Sequence, residues 1–208
     1  MTDIENDLDV FMAESTANAF EQDARIIIFG TGGFAKEVEW LIGQVTPAQT
    51  ICVDRTNEDI INWEDLLAIG IGNPKIKKEI VERYGKKRFF NIIAGDLIKG
   101  DLTLGTGNII CNGNIITTGV TLGNFNAINL NCTIGHNTII GNYNQINPGT
   151  NISGGVTIGD KCLIGTGVQI LENIKICDDC IIGAGAVVTK DLTEAGTYIG
   201  IPAKCQKN

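Results

Sequence analysis

The sequence predicts a two-part chain: a short α/β unit, then a parallel β-solenoid with three six-residue faces per turn. Three observations predict it. An aliphatic residue falls at every sixth position from Ile98 to Val188, sixteen in succession. Neither a helix of period 3.6 nor an alternating strand produces that period, whereas a repeating strand and corner does. The residue four places after each aliphatic is mostly small (Cys132, Thr138, Val156, Cys162, Ala186), as a narrow triangular interior requires. Ahead of the repeat, strands and helices alternate from Arg25 to about residue 95.

Residues 1–24 hold seven acids and no Lys or Arg. Both a short amphipathic helix burying Val10, Phe11, Met12 and Phe20 and a frayed arm fit this stretch. Residues 25–95 read as βαβ. The strand Ile26–Phe29 leads through Gly30-Thr31-Gly32-Gly33 into a helix from Phe34 to Gly43, and a second strand, Ile51–Val53, ends at Asp54. A third strand covers Leu66–Ile71 and a helix Pro74–Tyr84, with Pro74 suited to its first turn. Arg88–Ile93 is expected as a fourth strand.

The solenoid is expected over residues 96–190. Eighteen residues per turn give about five turns and a prism about 25 Å tall. Asn108, Asn126 and Asn144 then share one inward column and predict an asparagine ladder. Asn112, Gly113, Asn124, Gly141, Asn142 and Gly183 are expected at corners that need positive φ. Residues 191–208 lose the period and read as a tail folded back over the last turn.

A net charge of −8 argues against nucleic acid or anionic membrane as the main partner. The acidic start lacks the basic and apolar pattern of a secretory leader, and no apolar run is long enough to insert into a membrane, so a cytoplasmic protein is expected. The seven scattered cysteines read as reduced thiols, those at inward positions serving as small hydrophobes.

The one histidine, His136, lies two residues after an inward aliphatic and so faces outward near a corner, where a rigid backbone can hold a general base. Gly154 falls one turn above it and Glu172 one further; Thr166 and Ala184 share another column. A single histidine argues against a three-histidine metal site, so no metal is expected. Gly30-Thr31-Gly32-Gly33-Phe34-Ala35 satisfies GxGxxA after a strand, with Asp54 placed for a ribose hydroxyl. Without a second mononucleotide half, it fits one nucleotide at the helix N-terminus better than a dinucleotide. The run Lys75, Lys77, Lys78 reads as a solvated helix face that could meet phosphate.

Together, IFGTGGFAKEV, CVD, IGNPKIKK, INLNCTIGHN, GGVTIG and GTYIGIPAK, in this order over residues 25–204, make the chain similar to bacterial nucleotide-sugar N-acetyltransferases and sialic-acid O-acetyltransferases. The resemblance implies an α/β Rossmann-like half domain, a left-handed parallel β-helix, a homotrimer, and acetyl-CoA as co-substrate in the groove between prisms. His136 looks like the general base, with Asn137 beside it and the Gly154 amide as oxyanion donor. Gly30, Gly32, Gly33, Phe34, Asp54, Gly72, Asn73 and Asn129 correspond to nucleotide-sugar contacts. Thr166, Ala184, Gly200, Ile201, Pro202 and Lys204 correspond to acetyl-CoA contacts. The implied activity is N-acetylation of a nucleotide-linked amino sugar, such as a 4-amino-4,6-dideoxy sugar, for surface glycan synthesis. Sialic-acid O-acetylation and a non-catalytic prism are the rivals. The chain departs from the family pattern at Asn137 (an acid), Gln145 (a second histidine), Phe34 (a histidine) and Arg55 (a second acid).

Overall fold

The computed structural model describes residues 24–95 and 97–206. The helix weighed for the acidic arm lies outside the described residues. Strands β1 (Arg25–Phe29), β2 (Gln49–Val53) and β3 (Leu66–Ile69) form a parallel sheet in the order β2-β1-β3. Helix α1 (Gly33–Val45) connects β1 to β2 and buries Ala35, Val38, Leu41 and Ile42 at helical spacing. Helix α2 (Pro74–Tyr84) begins where the proline places it, and the Asn73 side chain caps it by accepting from the Lys75 and Ile76 N–H groups.

The expected fourth strand is divided between two sheets. Phe89 makes a single parallel bridge to Leu67 of β3. Three residues on, β4 (Ile92–Ile93) pairs with Ile109–Ile110 as the first strand of the solenoid. Stacking therefore starts earlier than the aliphatic period, while the second face has six strands, from Ile98–Lys99 to Val187–Val188, all within that period. The first face runs from β4 through Ala127–Ile128 and Gln145–Ile146 to Ile181–Ile182. The tail continues it: Thr197–Ile199 pairs parallel with Ile181–Ile182, and Lys204–Cys205 turns back antiparallel. The third face runs from Leu102–Leu104 to Lys175–Ile176.

The corners obey one rule, which corrects the sequence expectation. Positive φ falls on the third residue after each inward aliphatic from Leu104 to Ile182, at Gly113, Phe125, Asn131, Asn137, Tyr143, Lys161, Asn173 and Asp179 among others. Gly113 is where it was expected; Asn112, Asn124, Gly141, Asn142 and Gly183 are not in that conformation. Glycines directly after the aliphatic serve close stacking instead. A Cβ on Gly123 would lie 2.5 Å from the Gly141 carbonyl oxygen, and one on Gly165 2.5 Å from the Ala184 nitrogen.

Inside the prism, Ile128, Ile146, Ile164 and Ile182 and the small residues Cys132, Val156, Cys162 and Ala186 are all buried. The asparagine ladder forms chiefly through side-chain oxygens. Asn108 Oδ1 accepts from the Asn126 N–H at 2.9 Å, Asn126 Oδ1 from the Asn144 N–H at 2.9 Å, and Asn144 Oδ1 from the Cys162 N–H at 2.7 Å. Each Nδ2 group donates to a carbonyl fifteen residues on, as Asn126 does to Gly141. Asn91 extends the ladder downward by accepting from the Asn108 N–H.

The α/β unit shares its core with the prism. Ile109, Cys111 and Ala127 of the first face pack with α1 and one side of the small sheet. On the other side, Phe125 meets Phe89 edge-on at 5.3 Å and stacks on Tyr143 at 5.4 Å. No helix among the described residues is long and apolar enough to cross a membrane.

Asn126 both accepts and donates at a site closed to water, so Asn126→Ala leaves buried backbone groups unpaired. A loss of about 3 kcal/mol is expected in chemical denaturation, clearly more than for Asn142→Ala on the outer corner.

Candidate functional site

His136 follows the second-face strand Thr133–Ile134, at the corner leading to the third face, and is exposed. Its carbonyl accepts from the Gly155 N–H at 2.7 Å, which fixes the backbone one turn above. The imidazole lies over Gly154: a Cβ there would sit 2.5 Å from His136 Nε2. Among the described residues, the Gly154 N–H donates to no protein acceptor, and a Cβ on Gly135 would lie 2.5 Å from it. Two glycines therefore leave an imidazole nitrogen and an unused amide side by side.

Asn137 occupies the positive-φ position, φ 57°, where asparagine is among the favoured side chains. Its Nδ2 lies 3.4 Å from His136 Nδ1. The corner geometry thus accounts for asparagine here independently of any chemistry.

The other expected contacts lie on a different edge. Asn129, Thr166 and Ala184 occupy the corner between the first and second faces, one face away from His136. Thr166 and Ala184 are exposed, and neither amide N–H has a protein acceptor among the described residues. Asn129 is buried and its Oδ1 accepts from the Leu130 N–H. The tail hooks onto the end of the second face, where the Val187 N–H donates to the Gly200 carbonyl and the Ala203 N–H to the Val187 carbonyl. That leaves Ile201, Pro202 and Lys204 exposed beside the last turn. A single chain therefore does not bring His136 and the second set of expected contacts together.

In the α/β unit, Gly30 and Asp54 border a cavity of about 240 Å³. Gly30 has φ 117°, and a Cβ there would meet the Gly70 carbonyl oxygen at 2.8 Å. Ala35 answers the third small position of GxGxxA by packing against Gly70. Asp54 accepts from the Thr56 N–H and hydroxyl, which hold its carboxyl below the usual carboxylate range. Gly32 and Gly33 face open space at the start of α1.

Three of the expected contacts also have structural work. Phe34 packs with the α1 core, Asn73 caps α2, and Gly72 rests against Gln145. The charged lining from α2, Glu79 and Arg83, was missed. Their spacing of four on one helix face was the available signal. Arg83 pairs with Glu58 at 2.7 Å and Arg55 with Glu79 at 3.8 Å, bringing the β2 loop and α2 together at the cavity.

The basic run on α2 also needs correction. Lys75 and Lys78 are exposed, but Lys77 is 2% exposed, because it falls in the buried stripe with Pro74, Ile80 and Val81. Lys77 Nζ donates to the Asn144 carbonyl at 3.0 Å and to Gln145 Oε1 at 2.9 Å. Burial pushes its pKa down from 10.5 to about 7. The buried cysteines are shifted the other way, with Cys111 at about 12 and Cys132 at about 11, so neither is a ready nucleophile.

Residues 155–190 match the bacterial transferase hexapeptide family (six repeats). No curated protein matches the chain in sequence. Among solved structures, the chain is similar to the acetyltransferase domain of PglB from Neisseria gonorrhoeae FA1090, with TM-score 0.80 and 21% identity over 88% of this chain and 100% of that one. That domain has also been solved with acetyl coenzyme A. PerB from Caulobacter crescentus, in complex with CoA and GDP-perosamine, gives TM-score 0.76 and 24% identity over 88% of this chain and 98% of that one. WeeI from Acinetobacter baumannii AYE gives 0.77 and 23%, covering 88% of this chain and 100% of that one. At these identities the likeness establishes a shared fold.

Two outcomes are expected. Gly154→Ala displaces the imidazole while the prism stays folded, seen as a changed His136 ring resonance with a melting temperature close to wild type. For Lys77, the unfolded chain binds more protons than the folded one between about pH 7 and 10.5. The stability of wild type relative to Lys77→Met should therefore rise across that window and flatten outside it, as read by denaturant titrations at each pH.

Proposed function

We propose that the chain is an acetyl-CoA-dependent N-acetyltransferase acting on a nucleotide-linked amino sugar. The observation that carries this reading is the imidazole of His136 lying over Gly154, beside an amide with no other acceptor. An acyl transfer needs those two groups: a base for the attacking nitrogen and a donor for the oxygen that gains charge.

In this reading the amine nitrogen attacks the thioester carbonyl. The C–N bond forms as the C–S bond breaks, His136 takes the amine proton, and that proton passes to the departing thiolate. The Gly154 N–H faces the carbonyl oxygen. For Nε2 to accept a proton, Nδ1 must carry the hydrogen, and the Asn137 amide serves by turning its oxygen toward Nδ1. Unlike a carboxylate, it adds no charge to stabilise the imidazolium.

The cavity at Gly30 and Asp54 suits the nucleotide, with the open amides at the start of α1 near its phosphates. Thr166 and Ala184, small and stacked with unused amides, suit the pantetheine arm, and Gly200–Lys204 the CoA nucleotide. Because these groups and His136 lie on different edges of one prism, the complete site is assigned to the groove between copies. A homotrimer of left-handed prisms places one edge of each copy against the other edge of its neighbour. Complexes of the similar folds with acetyl coenzyme A and with CoA and GDP-perosamine support both ligand classes.

His136→Ala is expected to reduce turnover about 10²- to 10⁴-fold while acetyl-CoA binding by calorimetry is retained. The assay uses acetyl-CoA with UDP-, dTDP- and GDP-linked amino sugars beside free and CMP-linked sialic acid. Near-wild-type turnover by the variant sinks the mechanism, and turnover confined to a sialic acid replaces N- with O-acetylation.

A further inference from the structure

Lys77 is a buried lysine with no carboxylate within ion-pair distance among the described residues. Such a group is costly, and a methionine would fill the same volume without the cost. What the lysine does is visible in its contacts. It holds Gln145 Oε1 at 2.9 Å, and Gln145, itself 3% exposed, donates from Nε2 to Asn147 Oδ1 at 3.3 Å. The Asn144 carbonyl, which anchors the same ammonium, is tied into the ladder by the Ala127 N–H. In its ammonium form Lys77 decides which way the Gln145 amide points, since an ammonium can only donate and so selects the oxygen. Gln145, with its nitrogen forced outward, in turn selects the oxygen of Asn147.

Asn147 stands at the corner between the first and second faces, directly above Asn129, since Ile128 and Ile146 are register partners. Neither the Asn147 nor the Asn129 Nδ2 group donates to a protein acceptor among the described residues. Asn129 Oδ1 is already taken by the Leu130 N–H. Two side-chain NH₂ groups one rung apart, about 4.8 Å, are thus left for a ligand with their oxygens tied back. The next two residues of the column, Gly165 and Gly183, have no side chain.

We propose that Lys77 is a positioning residue which, through Gln145, fixes Asn147 as a second substrate-binding donor beside Asn129, for an uncharged oxygen of the amino sugar. The proposal rests on the acetyltransfer reading and adds to it a side chain, Asn147, and a relay from the α/β unit.

The test compares Lys77→Met, Asn147→Ala and their double variant by steady-state kinetics below about pH 7, where Lys77 is charged, with acetyl-CoA and the amino-sugar panel, and with melting temperatures as the folding control. About a tenfold rise in the sugar KM is expected in each single variant, with kcat and the acetyl-CoA KM within twofold of wild type. The double variant should be no worse than Asn147→Ala, because both changes remove one interaction. Multiplying effects, or an unchanged sugar KM in Lys77→Met, overturn the proposal. A second readout needs no turnover: the Asn147 side-chain NH₂ resonances, assigned by their loss in Asn147→Ala, should move in Lys77→Met. If wild type turns over no donor and acceptor pair, the acetyltransfer reading fails. The relay is then judged on those resonances, and their insensitivity to Lys77→Met overturns it.

Discussion

Everything in this chain depends on the eighteen-residue stacking register of the solenoid. Each rung gives its backbone N–H groups to the carbonyls of the next, as Ala127 gives to Asn144 and Gln145 to Cys162. That spacing leaves no room for a Cβ where a glycine follows the inward aliphatic, as at Gly123, Gly141 and Gly165, and it turns the chain at a left-handed residue two positions later. Hydrophobic burial by the aliphatic columns drives the coil together. The register, pinned by backbone pairing and the asparagine ladder, decides which side chains become neighbours.

The site inherits its rigidity from this register. His136 needs no network of partners to hold it, because the carbonyl on one side of its Cα is tied to the rung above and Gly154 leaves the space its ring fills. An imidazole supported this way has few groups to reorganise when charge moves. The same rigidity keeps the two edges of the prism apart, so one chain cannot unite them by bending. In the proposed function, assembly is what completes the site.

The repeat was legible because its signal is long: sixteen aliphatics fix the columns, and with them the stacking of Gly154 over His136 and the ladder of Asn108, Asn126 and Asn144. The corners were misread because Gly and Asn were taken as signs of positive φ. At the position after the aliphatic, glycine answers a backbone approach instead, while the left-handed position accepts Phe125, Tyr143 and Lys161. The fourth strand was misplaced because an apolar run does not say which sheet receives it, and Phe89 and Ile92 go to different ones. Lys77 was hidden by residue type. Its spacing from Pro74, Ile80 and Val81 marks the buried stripe of α2, but a lysine in a basic run reads as solvated.

Lys77 also bears on why the α/β unit and the prism form one body. Apolar contacts through Ile109, Ala127 and Phe125 supply adhesion, but such contacts tolerate sliding and rotation. A buried amine reaching one carbonyl and one amide oxygen does not, because a shift of one rung would leave its N–H groups without acceptors, at a cost of about 1–3 kcal/mol or more. The lysine thereby sets the position of α2, and with it Glu79 and Arg83 at the cavity of the α/β unit, relative to the corner that holds Asn129 and Asn147. In the proposed function nucleotide and sugar are parts of one substrate, so the distance between those two places has to be fixed. Replacing the ion-neutral contact by hydrocarbon would keep the adhesion and give up that distance.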